Sequence, residues 1–340
     1  MGLLTGPLPM VPPAGGAGGG GQLDKGPSVV ALGGGHGLSA SLSALRLLTS
    51  DLTAIVTVAD DGGSSGRLRE EYGVLPPGDL RMALTALCDD TDWGRTWRDV
   101  MQHRFHPGGG RGGSLDDHAM GNLLIVTLWE LLGDTVGGLK WAGALLGARG
   151  QVLPMSSVPL TIEGDVRVPG PDGSYTLETV TGQAKCAVAG SLESVRLLPE
   201  SAHACVEALT AIELADWVIL GPGSWYTSVL PHLLLPEMRQ ALSDTPAKRC
   251  LTMNLATDTK ETSGMSAADH LHVLRSYAPD FSIDVVLADP VSVPDVEEFK
   301  RAAGMLGAEV VLGKVGASSR RPIHDPLRLA TAYHDIFGNS

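Results

Sequence analysis

Three times in this chain a short apolar run stops at a cluster of glycines. Val29-Val30-Ala31-Leu32 runs into Gly33-Gly34-Gly35-His36-Gly37, and Ala54-Ile55-Val56-Thr57-Val58-Ala59 into Asp60-Asp61-Gly62-Gly63-Ser64-Ser65-Gly66. The third run, Trp217-Val218-Ile219-Leu220, ends in Gly221-Pro222-Gly223-Ser224. Apolar runs without alternation read as strands buried on both faces, which is the environment of a parallel sheet covered by helices. In such sheets ligands collect beyond the carboxyl ends of the strands. The residues after each run are therefore the first candidates for a site.

From Ser28 onward, β-rich runs alternate with helical patterns, which predicts an α/β fold built on a mainly parallel sheet flanked by helices. The expected strands are Val29 to Leu32, Thr53 to Ala59, Trp217 to Leu220, Arg249 to Met253, Ile283 to Leu287 and Val310 to Leu312. Expected helices cover Ser39 to Thr49, Asp79 to Leu87, Thr96 to His103, Ala119 to Leu132, Val136 to Leu146 and Leu327 to Phe337. Residues 151–182 break this rhythm: Val158 to Val168 and Ser174 to Val180 flank Pro169-Gly170-Pro171-Asp172-Gly173, the signal of a hairpin. An antiparallel insertion is expected over about 157–182 of a single domain spanning 28–340. Residues 1–27 are almost entirely Gly, Pro and Ala and are expected to form a disordered tail.

Charge narrows the function classes. With 38 acidic against 25 basic residues the net charge is -13, so the chain lacks the broad basic surface of a nonspecific nucleic-acid binder. Cys88, Cys186, Cys205 and Cys250 show no metal-ligand spacing and read as small buried hydrophobes. The most apolar stretch, Leu123 to Leu132, contains Glu130 and is shorter than the roughly 20 residues of a spanning helix. No membrane insertion and a cytoplasmic location are expected.

Each glycine junction has a chemical and a bland reading. The loop Gly33, Gly34, Gly35, His36, Gly37 opens a helix, where glycine permits close backbone approach and the helix N-terminus favours phosphate. The third glycine of a dinucleotide fingerprint would fall at position 38, which is leucine, so a tight turn stays open as the alternative. Asp60 and Asp61 are candidate magnesium ligands, candidate ribose partners, or turn formers with Gly62, Gly63 and Ser64. Arg67 and Arg69 follow as phosphate partners or as a solvated helix face. Asp79 reads as a helix N-cap, whereas Arg81 in the first turn opposes the helix dipole and calls for a compensating anion. His118 and Asn122, four apart, share a face of the most apolar helix and need either internal partners or a ligand. Gly221, Gly223, Ser224, Tyr226, Thr227 and Ser228 form a candidate second anion nest, with Asn254 and Thr257 expected at the same edge. No Ser-His-Asp order or reactive cysteine stands out, so hydrolysis by a familiar nucleophile lacks support.

Taken together, five ordered blocks carry a family resemblance: GGGHGL at 33, VTVADDGGSSGRLR at 56, PPGDLR at 76, HxxGN at 118 and GPGSxYTS at 221. The chain resembles the YvcK-type gluconeogenesis factors of the CofD-like superfamily, the sister branch of the 2-phospho-L-lactate transferases. The resemblance implies a three-layer, Rossmann-like core and a cytoplasmic regulator that binds UDP-N-acetylglucosamine or UDP-glucose. It implies a role in cell shape and peptidoglycan synthesis during gluconeogenic growth, through an unidentified wall-synthesis or metabolic partner, with self-association as a further expectation. The glycine loop at 33–37, Asp60, Asp61, the 221–228 segment and Asn254 would line its pocket. Met265 stands where members of this family carry tyrosine. The alternative is a magnesium-dependent transferase of a phospho-group from a nucleotide-activated donor, although a chain with 4% aromatic residues offers little with which to cradle a flat acceptor.

Overall fold

A computed structural model describes residues 26–106, 113–169, 174–190, 192–317 and 322–338. The elements begin with β1 (Val29–Gly33), α1 (Gly35–Leu45), β2 (Leu52–Val56), α2 (Gly63–Tyr72), α3 (Pro77–Leu87), α4 (Asp92–Gln102), α5 (Met120–Leu132) and α6 (Thr135–Leu146). They continue with β3 (Gln151–Pro154), β4 (Thr161–Pro169), β5 (Tyr175–Thr181), α7 (Gln183–Cys186), β6 (Leu192–Leu198), α8 (Val206–Glu213) and β7 (Trp217–Leu220). After a π-turn over Trp225–Val229 come α9 (Pro231–Leu234), α10 (Pro236–Asp244), β8 (Lys248–Thr252), α11 (Ala267–Tyr277), β9 (Val285–Ala288), α12 (Val296–Gly304), β10 (Glu309–Leu312) and α13 (Pro326–Gly338).

Among the described residues seven strands form one sheet in the order β10-β9-β8-β7-β1-β2-β3, and every pairing in it is parallel. Val29 stands opposite Leu52 on one side and Trp217 on the other, so β1 is the central strand. All five of its residues are buried, as are all five of β2 and all four of β7, which is why these runs are apolar without alternation. The α/β expectation and the parallel sheet hold. The strand order reverses direction between β1 and β7, and that reversal places a crevice outside their carboxyl ends.

Three local readings change. Residues 151–154 join the parallel sheet as its edge strand β3, rather than the irregular segment that follows. The antiparallel piece is a three-stranded sheet, β5-β4-β6, whose third strand has no clean alternation in LESVRLL and went unforeseen. The glycine and serine run after Asp61 is helix, not loop: α2 starts at Gly63, and Gly66 is required there because a Cβ would collide with the Asp61 carbonyl. Of the expected tail, only residues 26 and 27 fall within the described residues, and the hairpin tip at 170–173 lies outside them.

The two central loops close on each other. A side chain at Gly37 would run into the Pro222 carbonyl, and Gly33 lies 3.3 Å, measured from its would-be Cβ, from Leu38 of α1. Tyr333 of α13 is fully buried and its hydroxyl bonds Ser41 Oγ at 2.9 Å and Thr252 Oγ1 at 2.8 Å, while Ser41 donates to the Gly221 carbonyl at 3.0 Å. One phenol thus fastens α1, β8 and the loop after β7. Gly37→Ala should destabilise the chain by about 1–3 kcal/mol, the usual cost of forcing atoms into a packed site. Urea unfolding of the variant checks this, and an unchanged midpoint would show that the loops have room between them.

Candidate functional site

The crevice begins at α1. Gly34 is its N-cap, no side chain of its own caps it and its first turn carries no acidic residue, but the Asp79 carboxylate reaches it from α3 and accepts from the Gly35 N–H. His36 is exposed there. Against the backbone of Gly33 sits His232, fully buried, its imidazole pushed down to about 4 by burial and therefore neutral.

Beneath the loop lies Asp79, which is not the N-cap of α3; Pro76 takes that position. Its carboxylate accepts from the Gly35 N–H and from the Thr57 hydroxyl at 3.5 Å. A Cβ on Gly34 would lie 2.5 Å from both Asp79 Oδ2 and Thr57 Oγ1, and 3.3 Å from Ser228 Oγ. Gly34 is thus the point where the loops after β1, β2 and β7 meet α3. Burial, then the neighbouring Asp60 charge, raises Asp79 to about 7.

Asp60 is also raised by burial, opposed by the hydrogen bonds it accepts from Gly62 N–H, at 2.9 Å, and from Ser65. Ser65 Oγ in turn accepts from the Gly78 N–H at 2.7 Å, which ties the start of α2 to the start of α3. Asp61 points elsewhere. Its Oδ1 accepts from the Ala184 N–H at 2.9 Å, and a side chain at Gly182 would collide with its Oδ2, so Asp61 anchors the small antiparallel sheet to the core. At this edge the Asp60 charge raises Asp79, while the Asp61 charge still raises Asp60. Among the described residues no group of three or more His, Cys, Asp or Glu side chains is disposed to hold a metal ion.

His118 and Asn122 find internal partners. Ser64 Oγ sits between them, 3.1 Å from His118 Nδ1 and 3.0 Å from Asn122 Nδ2, and Arg81 Nε donates to Asn122 Oδ1 at 2.9 Å. Arg81 also donates to the Met101 carbonyl and to Gln102 Oε1. The anion expected for Arg81 is replaced by neutral oxygens. Gly121 is required beside them because a Cβ would press on Arg81 Cδ at 2.7 Å. Burial lowers His118, so it is a neutral member of this network. Arg67 turns outward to the Asp116 carbonyl, and Arg69 to Thr161 Oγ1.

The nest expected at 221–228 is already filled. Glu261, 6% exposed, accepts from Ser224 Oγ at 2.7 Å and from the Trp225 N–H at 2.6 Å, with a further bond from Tyr226 N–H. Burial raises this carboxyl while those three donors hold it down. Ser224 also bonds Thr227, whereas Tyr226, Thr227 and Ser228 are buried. Asn254 clamps Gly223 in both directions, accepting from its N–H at 2.9 Å and donating to its carbonyl at 2.7 Å. Open space remains above: a cleft of about 920 Å³ lined by His36, Gly37, Gly223, Asn254, Thr259 and Lys260, among others. Thr257 lies outside that lining, and Met265 packs onto the core.

Comparison with known proteins agrees with this architecture. The family described as 2-phospho-L-lactate transferase CofD matches residues 29–311. The chain belongs to the CofD family. Within it, gluconeogenesis factors from Bacillus subtilis and Halalkalibacterium halodurans are 37% and 38% identical, covering 84% and 81% of this chain and 85% and 81% of their own. A Mycobacterium leprae relative, whose gluconeogenesis-factor name is provisional, is 49% identical over 91% of this chain and 86% of its own. A crystal structure of a UPF0052-family protein from Bacillus halodurans superposes with a TM-score of 0.78 at 33% identity, covering 91% of this chain and 99% of that one.

In this CofD-family chain the residues that sequence reasoning passed over are Asp79, Glu261 and Thr57. Asp79 carried a visible signal in PPGDLR, but a capping role explained it equally well. Glu261 had none, since its partner lies 37 residues away. The Asp79 assignment has a pH signature. A carboxyl whose pKa is raised in the fold, from 3.8 to about 7, favours the folded state below the unfolded pKa and loses that contribution as pH rises through 7. Asp79→Asn should therefore gain in melting temperature relative to the parent between about pH 5 and pH 8.5 in the presence of EDTA. An offset that is the same at both ends would show that Asp79 holds no proton.

Proposed function

We propose that this protein is a nucleotide-sugar-binding regulator, taking UDP-N-acetylglucosamine or UDP-glucose in the cleft between the β1 and β7 loops. The reading rests on one observation: His36 and Gly37, in the first turn of α1, line a cleft of about 920 Å³ together with Pro222 and Gly223 of the β7 loop. A helix N-terminus of this kind suits a diphosphate, and the volume lies in the range of about 300–1,000 Å³ common for small-molecule sites. Lys260 supplies a cation at the rim, and Thr259 and Asn254 offer polar atoms to the uridine and sugar. The occupied form would engage a wall-synthesis or metabolic protein in the cytoplasm and so act on cell morphogenesis under gluconeogenic growth, in keeping with the name its relatives carry.

A second reading, phospho-group transfer, is favoured by the Asp60 and Asp79 pair. Two carboxylates, Asp60 raised by burial and Asp79 raised by burial and by the Asp60 charge, with the Thr57 hydroxyl beside Asp79, are a hard-oxygen set suited to magnesium. Asp60 and Asp79 would hold the ion, and it would stabilise negative charge on the group in transfer. The network of His118, Asn122 and the Arg81 guanidinium would keep α2, α3 and α5 in register around it.

Isothermal titration against UDP-N-acetylglucosamine, UDP-glucose, GDP and NAD separates the readings. The regulator predicts saturable UDP-sugar binding, recovery of the ligand unchanged, and about tenfold weaker binding in Lys260→Ala, as loss of a charge-assisted contact implies. A flat trace at millimolar UDP-sugar overturns it. Product formation in a magnesium-dependent assay with a deazaflavin acceptor would replace it by the transferase.

A further inference from the structure

A second cavity, of about 560 Å³, adjoins the nucleotide cleft. His36, Ser39 and Ser43 line both, and their spacing puts them on one face of α1, so the two spaces meet along that helix. The rest of the second cavity comes from Arg46 at the end of α1, from Arg81 and Thr85 of α3, and from Arg98, Gln102 and Arg104 of α4 and the residues after it, with little apolar lining beyond Met82 and Ala86. Four guanidinium groups line it and no carboxylate does, in a chain with 38 acidic and 25 basic residues.

The local ion pairs do not balance these charges. Arg46 and Arg98 share a single carboxylate, Asp90, at 3.0 and 3.4 Å, and Arg104 reaches Asp117 at 3.3 Å. Arg81 bonds only neutral oxygens. Asp90 and Asp117 are themselves largely solvent-exposed, 63% and 55%, so water screens what they contribute. Arg46 Nε is buried without a hydrogen-bond partner. Burial and then the Arg104 charge hold Arg81 down at about 10, so these like charges repel across the cavity. Clustering cations against repulsion in a concave, partly dry space is unfavourable unless an anion completes it. Guanidinium forks match phosphate oxygens in pairs, which makes arginine better suited to this than lysine.

We propose that this arginine-lined cavity is a second ligand site that takes a small phosphorylated metabolite beside the nucleotide cleft. The phosphate sits among Arg46, Arg98 and Arg104, with the Ser39, Ser43 and Thr85 hydroxyls nearby. The remainder of the ligand points toward His36, which both spaces share. Occupancy of one site then changes affinity at the other, by the same factor in both directions. The phosphate site stands apart from the nucleotide-sugar reading, and only the coupling rests on that reading.

The test uses the full chain at constant ionic strength, with pyrophosphate and citrate as probes in calorimetry and inorganic phosphate followed by phosphorus NMR. Pyrophosphate is expected to bind saturably and at least tenfold more tightly than citrate. Arg98→Gln and Arg104→Gln, at partly exposed positions, should each weaken it at least tenfold while melting within a few degrees of the parent. UDP-N-acetylglucosamine binding without pyrophosphate should stay within twofold of the parent in both variants. Three results overturn the proposal: no pyrophosphate binding at 10 mM, binding that both variants leave unchanged, or binding lost in Lys260→Ala but kept in the arginine variants. The last would place the anion in the nucleotide cleft. Citrate equal to or tighter than pyrophosphate would also overturn it, by assigning the cavity to carboxylates.

Discussion

Closure of the β1 loop on the β7 loop is the constraint from which the rest of the site follows. Gly37 lies against the Pro222 carbonyl, and Gly34 against Asp79, Thr57 and Ser228, at distances that leave no space for a Cβ. Because these residues are glycines, three strand ends approach within contact of one helix N-terminus. A methyl group at either position would hold them apart, and the crevice would be a shallow groove. Tyr333 secures the arrangement from behind through Ser41 and Thr252, so the last helix of the chain helps to set the geometry of its first loop.

That closure brings charged groups of both signs together. Lys260 and the arginines of the adjoining cavity present positive potential. Among them Asp60, Asp79 and Glu261 are carboxyls held by backbone N–H and hydroxyl donors, and Glu261 lines the same cleft as Lys260. Glu261 occupies the nest above the β7 loop and Asp79 the Gly35 N–H, so that His36, Gly37 and Lys260 are left to line the open cleft. An acidic protein can in this way favour anionic ligands, since the field within a concave site depends on its own lining rather than on the net charge.

Much of the fold was legible because each signal was local. Buried parallel strands leave unbroken apolar runs, and β1 and β7 ended within a residue of their expected limits. The edge strand β3 and the third strand of the small sheet were not, because β3 is only four residues long beside a stretch that reads as an antiparallel insertion, and LESVRLL has no clean alternation. At the site, the glycine loops and Asp60 were readable as residues beyond strand ends. The separate fates of Asp61, Arg81, His118 and Asn122 were not, since a carboxylate, guanidinium or amide reads the same whether it meets a ligand or a distant backbone atom.

The sequence by itself determined the parallel α/β class, the central strands, the glycine junctions and the family resemblance, because these depend on periodicity and on residues close along the chain. Only the tertiary structure decided that Asp79 comes within reach of the Asp60 charge while Asp61 turns to the Ala184 N–H, that Glu261 fills the nest at Ser224, and that four arginines share a cavity. Each of those outcomes joins segments far apart in sequence. The partner a buried polar group takes is set by which atoms the packed backbone brings within hydrogen-bond distance, and no local pattern carries that distance.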